Sequence, residues 1–124
     1  MNTHNDLHKL PPIERYLYFL KTIAEAGELW TLIDNDGRFA LFEVNNKTVF
    51  SVWPDETSIE SNLTPDWQDY IPFKINLDEL EETIIPLIRQ NNYFINIFPV
   101  DSRTGYLVAL NDFVTELNRE LKNY

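Results

Sequence analysis

Chemistry needs side chains that titrate, coordinate or attack, and most such candidates in this sequence fall in one stretch. Asp55, Glu56, Glu60, Asp66, Asp69, Asp78, Glu79, Glu81 and Glu82 follow one another with Lys74 as the only basic residue among them. Two carboxylates at a suitable separation can act as acid and base. No histidine accompanies them and no motif fixes their spacing. Helix starts and solvated faces account for such acids without catalysis. Trp53, Trp67 and Tyr70 stand at the edge of the run or inside it. Aromatic residues are enriched at interface cores. The candidate binding surface is therefore Trp53, Asp55, Glu56, Asp66, Trp67, Asp69 and Tyr70, with no catalytic residue assigned.

Other candidates have simpler explanations. Asp34, Asp36 and Gly37 suggest a calcium loop, but an EF-hand needs Gly at the sixth position and Glu at the twelfth. Counted from Asp34, Gly37 is fourth and Asn45 is twelfth, so a hairpin turn is the better reading. His4 and His8 would share a helix face, yet no third metal ligand is near in sequence. Arg103, between Asp101 and Gly105, could grip an anion from a loop, although a lone arginine is usually a surface residue. Trp30 and Trp53 could frame a cleft for a peptide or a ring-bearing ligand. As core anchors each would bury ~200 Å². Asn96, inside the apolar run YFINIF, is expected to face outward, because a buried polar group must be satisfied. There is no cysteine, which excludes disulfides, thiolate chemistry and Cys-based zinc sites. Nucleophile-elbow, P-loop, Rossmann, HExxH and kinase patterns are missing too. Neither metal nor cofactor is expected, and an enzyme is not the favoured reading.

The composition sets outer bounds. The chain has 124 residues, 44% hydrophobic and 14% aromatic, enough for one domain with a core. Its formal net charge is −10 and its pI about 4.5. Nucleic acid and anionic membrane surfaces repel such a chain, whereas a basic protein partner is compatible with it. Acidity serving solubility alone is the plainer account. The N-terminus MNTHNDLHKL lacks the apolar run of a secretory signal, and a cytoplasmic home is expected.

These residues must be positioned by elements that the periodicity predicts. Residues 1–10 read as a polar leader and 11–124 as a single α+β domain. Pro11-Pro12 opens a helix whose apolar stripe is Ile13, Tyr16, Leu17, Leu20, Ile23 and Ala24, with Gly27 as its left-handed cap. Strands over 29–34, 38–44 and 48–53, joined by Asp-Asn-Asp-Gly and Asn-Asn-Lys turns, form a three-stranded antiparallel meander. Pro54 ends the third strand, and Asp55-Glu56 begins a short helix with Ile59 and Leu63 inward. Pro72 confines a strand over 71–75 to a sheet edge. Asn76 and Glu79 form a capping box for a helix that Pro86 should kink. The run 93–98 reads as a central strand, and 106–110 pairs back on it as a C-terminal hairpin. Asn111 caps a last helix with Phe113, Val114, Leu117 and Leu121 inward. The sum is an α+β fold, mainly antiparallel, with about four helices.

Set out this way, the chain resembles a known bacterial family. The runs YLYFLKTIAEAGELWTLIDNDGRFALFE, VFSVWPDE, INLDELEETIIPLI and NYFINIFP are similar to domain of unknown function 2750 over residues 14–120. Its most specific pieces are Trp30, Leu32, Asp34 and Gly37, and the corner Val52, Trp53, Pro54 and Asp55. In element order the chain also resembles the N-terminal domain of enhanced serine sensitivity proteins, through Phe98-Pro99, Gly105 and the run LVALNDF. The first resemblance implies a small soluble bacterial protein with no known catalytic set. The expected function is a non-catalytic protein-interaction domain that uses its acidic, aromatic surface. An immunity-type protein masking a basic partner is one variant. The alternative is a small-molecule binder or unrecognised enzyme with a pocket beside the Trp53-Pro54 corner.

Overall fold

The computed structural model describes residues 7, 9–60, 69–100 and 103–123. Helix α1, Pro12–Ala26, starts on proline and stops where Gly27 turns left-handed at φ 74° and donates its N–H to Ile23 O. Its buried face is Arg15, Tyr16, Phe19, Leu20, Ile23 and Ala24. Ile13 and Leu17, expected in that stripe, are instead 44% and 51% exposed. Tyr16, Leu20, Ile23 and Ala24 are buried as expected, while Arg15 and Phe19 take the places of Ile13 and Leu17, Arg15 because it finds acceptors inside the protein. Leu7, within the stretch read as leader, is buried in the core.

Strand β1, Glu28–Ile33, enters a turn in which Asp34 Oδ1 accepts the N–H groups of Asp36 and Arg38, each at 2.9 Å. These backbone donors, that of Arg38 first, hold the Asp34 carboxyl below its ordinary pKa. Strands β2, Leu41–Val44, and β3, Lys47–Val52, form the expected hairpin around Asn45 and Asn46, both at positive φ. Helix α2, Glu56–Glu60, follows, then strand β4, Ile71–Asn76.

The fold is α+β with mainly antiparallel pairing, as expected, but the expected meander differs in one strand. β1 pairs along its length with β4, from Glu28↔Asn76 to Ile33↔Ile71. It meets the β2 side of the hairpin at a single bridge, Ile33↔Phe39. The ladder breaks there because Phe39 packs its ring against Phe50 and Phe73, at 5.2 and 6.1 Å. Pro72 lies in β4, which among the described residues has β1 alone as partner, the edge position expected of it.

The capping box at Asn76 and Glu79 is present, with the Glu79 N–H donating to Asn76 Oδ1 at 2.8 Å. It opens helix α3, made of Leu77–Glu79, a π-helical turn Leu80–Ile84, and Ile85–Asn91. The wide turn ends at Ile84, two residues before Pro86, whose ring would otherwise strike the carbonyl four residues back. Strand β5, Phe94–Ile97, lies between β3, parallel to it, and β6, Tyr106–Val108, antiparallel to it. The larger sheet thus runs β2-β3-β5-β6 and the 93–98 run is central, as expected. Helix α4, Leu110–Leu121, closes the described chain and packs on α1, with Phe113 beside Phe19.

Asn96 does not face outward. It is 4% exposed, its amide donates to Ser51 Oγ at 3.2 Å, and its Oδ1 accepts the Gly105 N–H at 2.8 Å. The side chain is inward because partners on β3 and before β6 satisfy both of its ends. Gly105 is required by proximity: a Cβ there would lie 2.0 Å from Ile97 O. Gly27, by contrast, has open space and needs only its positive φ. Gly27→Ala should therefore cost about 1 kcal/mol, whereas Gly105→Ala should cost about 3 kcal/mol, the upper end of the scale for an overpacked core. Urea denaturation of the two variants measures this difference. Equal losses at the two sites would contradict the close approach.

Candidate functional site

β3 ends at Val52, and the next two residues leave the sheet. Trp53 and Trp30 exchange two backbone hydrogen bonds, Trp53 N–H to Trp30 O at 2.8 Å and the reverse at 3.0 Å. The indole N–H of Trp53 donates to Pro99 O at 3.0 Å. Trp53 is 3% exposed, and Pro54 is buried as well. This corrects the expected surface: Trp53 is a joint between the two sheets, and its ring cannot meet a ligand without unpacking. A pocket beside the corner loses Trp53 as a wall for the same reason. Trp30 is half-buried and packs against the core.

The other expected residues divide. Asp55 is half-buried, and its Oδ1 accepts the Ser58 N–H at 2.7 Å, which caps α2. Glu56 and Asp69 are exposed, and Tyr70 is half-buried against the core. Asp66 and Trp67 lie outside the described residues. Along the same stretch Glu60, Asp78, Glu79, Glu81 and Glu82 are exposed. Among the described residues the ion pairs are those of Arg38 with Asp34 and Asp36, so none of these acids is neutralised by one. Among its described members the expected surface keeps exposed acids, while Trp53 is buried and Tyr70 half-buried.

Two clusters were not foreseen. The first surrounds Arg15, which is 3% exposed. Its Nε donates to Phe98 O at 3.1 Å and its Nη1 to Leu10 O. Burial lowers its pKa, and the charge of Arg103 adds to that effect. Arg103 itself is exposed, as a loop arginine was expected to be. Phe98 sits at φ 55°, a left-handed conformation unusual for a bulky residue. Its own N–H donates to Val52 O at 2.8 Å. The available signal was the spacing 15, 16, 19, 20, 23, 24, which is one helical stripe once an arginine is admitted to it.

The second cluster joins α1 to α4. Tyr16 is fully buried, stacks on Tyr106 with centroids 4.7 Å apart, and donates its hydroxyl to Glu116 Oε1 at 2.7 Å. Glu116 lies on one wall of a groove of about 540 Å³, with Tyr106, Leu107, Asp112, Thr115 and Arg119 also lining it. A smaller cleft of about 180 Å³ lies between α3 and α4 and is mostly apolar, with Leu80, Ile85, Val114 and Leu121 among its walls. Among the described residues no three His, Cys, Asp or Glu side chains are grouped so as to hold a metal ion. No helix among them is long and apolar enough to cross a membrane.

Burial, helped by the bond to Glu116 and its charge, raises the Tyr16 pKa far above the ordinary value. Folding therefore favours the protonated phenol. The stability it confers is whole below pH ~10, the unfolded tyrosine pKa, and falls as pH rises beyond it. The fall approaches about 1.4 kcal/mol per pH unit for this one group. Urea midpoints between about pH 9 and pH 11 should drop more steeply for the unsubstituted chain than for Tyr16→Phe. Parallel curves would show that Tyr16 ionises freely in the folded protein.

No curated protein matches the chain. The sequence profile of a family described as "Protein of unknown function (DUF2750)" matches residues 16–117. That span holds the Trp30–Trp53 joint, the Asn96–Gly105 contact and both ends of the Tyr16–Glu116 bond. With most of its length and all of these contacts inside the match, the chain belongs to the DUF2750 family of proteins of unknown function.

Proposed function

We propose that the chain is a non-catalytic, cytoplasmic protein-interaction module whose acidic face binds a basic partner protein. The observation that carries this reading is the state of the acids between Glu56 and Glu82. Glu56, Glu60, Asp69, Asp78, Glu79, Glu81 and Glu82 are exposed and lack an ion pair among the described residues. Glu79 Oε1 alone has a local task, accepting the Asn76 N–H. Unpaired carboxylates of one sign raise a field that steers a basic surface and repels an acidic one. The chain's net charge of −10 acts in the same direction. A protein of immunity type, masking a basic partner, is one form this could take.

The test begins with partners retained on the immobilised full chain at low salt, each then purified and titrated. Retained partners should be basic, and their affinity should fall about tenfold or more as ionic strength rises past the range where the Debye length drops below ~10 Å. The triple variant Asp78→Asn, Glu81→Gln, Glu82→Gln should lose a comparable factor at low salt with an unchanged urea midpoint. Retention of neutral or acidic partners only, or affinities indifferent to salt and to the variant, would remove the reading.

A further inference from the structure

Among the described residues β6 is an outer strand, paired with β5 on one side only. Among the described residues no backbone group of Tyr106, Leu107 or Val108 bonds to another backbone group outside that ladder. The groove of about 540 Å³ runs beside this strand. Its other wall is the flank of α4 that carries Asp112, Thr115, Glu116 and Arg119, at helical spacings of three, four and seven. A strand edge facing a helix flank is a geometry that accepts an extended segment as an added strand. Short edge strands limit such pairing, and β6 has three residues, so the side-chain wall must contribute much of the recognition.

A second observation says what the wall recognises. Glu116 is not a free surface glutamate. The fully buried Tyr16 hydroxyl holds its Oε1 at 2.7 Å, so the carboxylate is fixed while its remaining lone pairs stay unused among the described residues. A fixed acceptor loses little entropy on pairing. Asp112 lies one turn away on the same flank. Arg119, three residues beyond Glu116, leaves the wall with two carboxylates against one guanidinium. That balance suits one basic residue and penalises a polybasic run.

We infer that the groove binds an extended segment of a partner protein as a further strand on β6, seating a single Lys or Arg on Glu116 and Asp112. The groove shares no residue with the acidic face between Glu56 and Glu82, and the two sites are separable by experiment. The probe is a blocked nine-residue peptide of alternating Thr and Val with one central Lys, titrated into the isotope-labelled full chain. Amide shifts should move at Tyr106 to Val108 and at Asp112 to Arg119, and exchange of the β6 amides should slow. Replacing the central Lys by Glu, or making Asp112→Asn, should weaken binding about tenfold. Asp112→Asn leaves the Tyr16–Glu116 bond in place, and because Asp112 lies in the first turn of α4 its urea midpoint is measured alongside, so that lost binding is separated from lost folding. The Asp78→Asn, Glu81→Gln, Glu82→Gln variant should bind the peptide as the unsubstituted chain does. The inference is overturned by shifts confined to other surfaces, by equal affinity for the Lys and Glu peptides, or by no saturation at millimolar peptide. Pairing of β6 with a second copy of the chain, seen as concentration-dependent shifts without peptide, would overturn it too.

Discussion

The three residues Ile97, Phe98 and Pro99 fix the relation of nearly every other segment. The Phe98 N–H is taken by Val52 O at the end of β3. The Phe98 carbonyl accepts from Arg15 on α1, and the Pro99 carbonyl accepts from the Trp53 indole. Ile97 O is approached so closely by Gly105 that no side chain fits there. Phe98 reaches this arrangement at positive φ, a cost of roughly 1–2 kcal/mol for a residue with a Cβ. Each hydrogen bond made there returns about 1 kcal/mol net, and about 1.5–3 kcal/mol where the donor is a charged guanidinium. Leaving one of those carbonyls buried and unmet would cost a similar amount again. The strained turn is stable because three separate elements depend on it together.

That constraint explains why conspicuous residues are structural. An isolated arginine under a helix is expensive to bury, yet Arg15 supplies directed donors to two carbonyls that have no strand partner. Trp53 combines apolar area with a single donor, which suits a site needing both. The same holds for Asn96, whose two-ended amide bridges β3 and the approach to β6 across β5. Thr31 adds a further link, donating to Ser51 O at 2.7 Å and so tying β1 to β3 beside the Trp30–Trp53 joint. The smaller sheet is attached to the larger by this short polar seam more than by a continuous ladder.

Local signals were legible from the sequence and long-range ones were not. The proline start and glycine stop of α1, the Asn76–Glu79 box, the Asn45-Asn46 hairpin, the edge place of the Pro72 strand and the central place of 94–97 all follow from neighbours in sequence. The choice of β4 as partner for β1 turns on Phe39 packing between Phe50 and Phe73, a contact no periodicity contains. Asn96 was placed outward, and Arg15 was left out of the helix stripe, because polar residues are assigned outward unless a partner is known. One partner of each lies far off in sequence, 83 residues from Arg15 and 45 from Asn96. Of the expected surface, the acids Glu56 and Asp69 are exposed as read. Trp53 is not, since an indole counted as interface aromatic was already engaged at both its ring and its N–H. The groove beside β6 could be anticipated only in half, as the polar flank of a helix, because its other half is a sheet edge.

The Tyr16–Glu116 bond spans 100 residues and joins positions next to the two limits of the family match. It closes the fold by fastening the first helix to the last. It also has a consequence outside the core, because one of its partners is a carboxylate on the wall of an open groove. A buried phenol cannot be replaced by water without loss, so the orientation of Glu116 is inherited from the packing of α1 against Tyr106 rather than set at the surface. The described acids between Glu56 and Glu82 have few such supports, and what they contribute to the surface is charge. Long-range attraction requires only charge and tolerates mobile side chains, whereas recognition of one residue in one register requires a carboxylate held in place. The structure supplies both kinds of carboxylate, at different places, and only the held one depends on the core for its position.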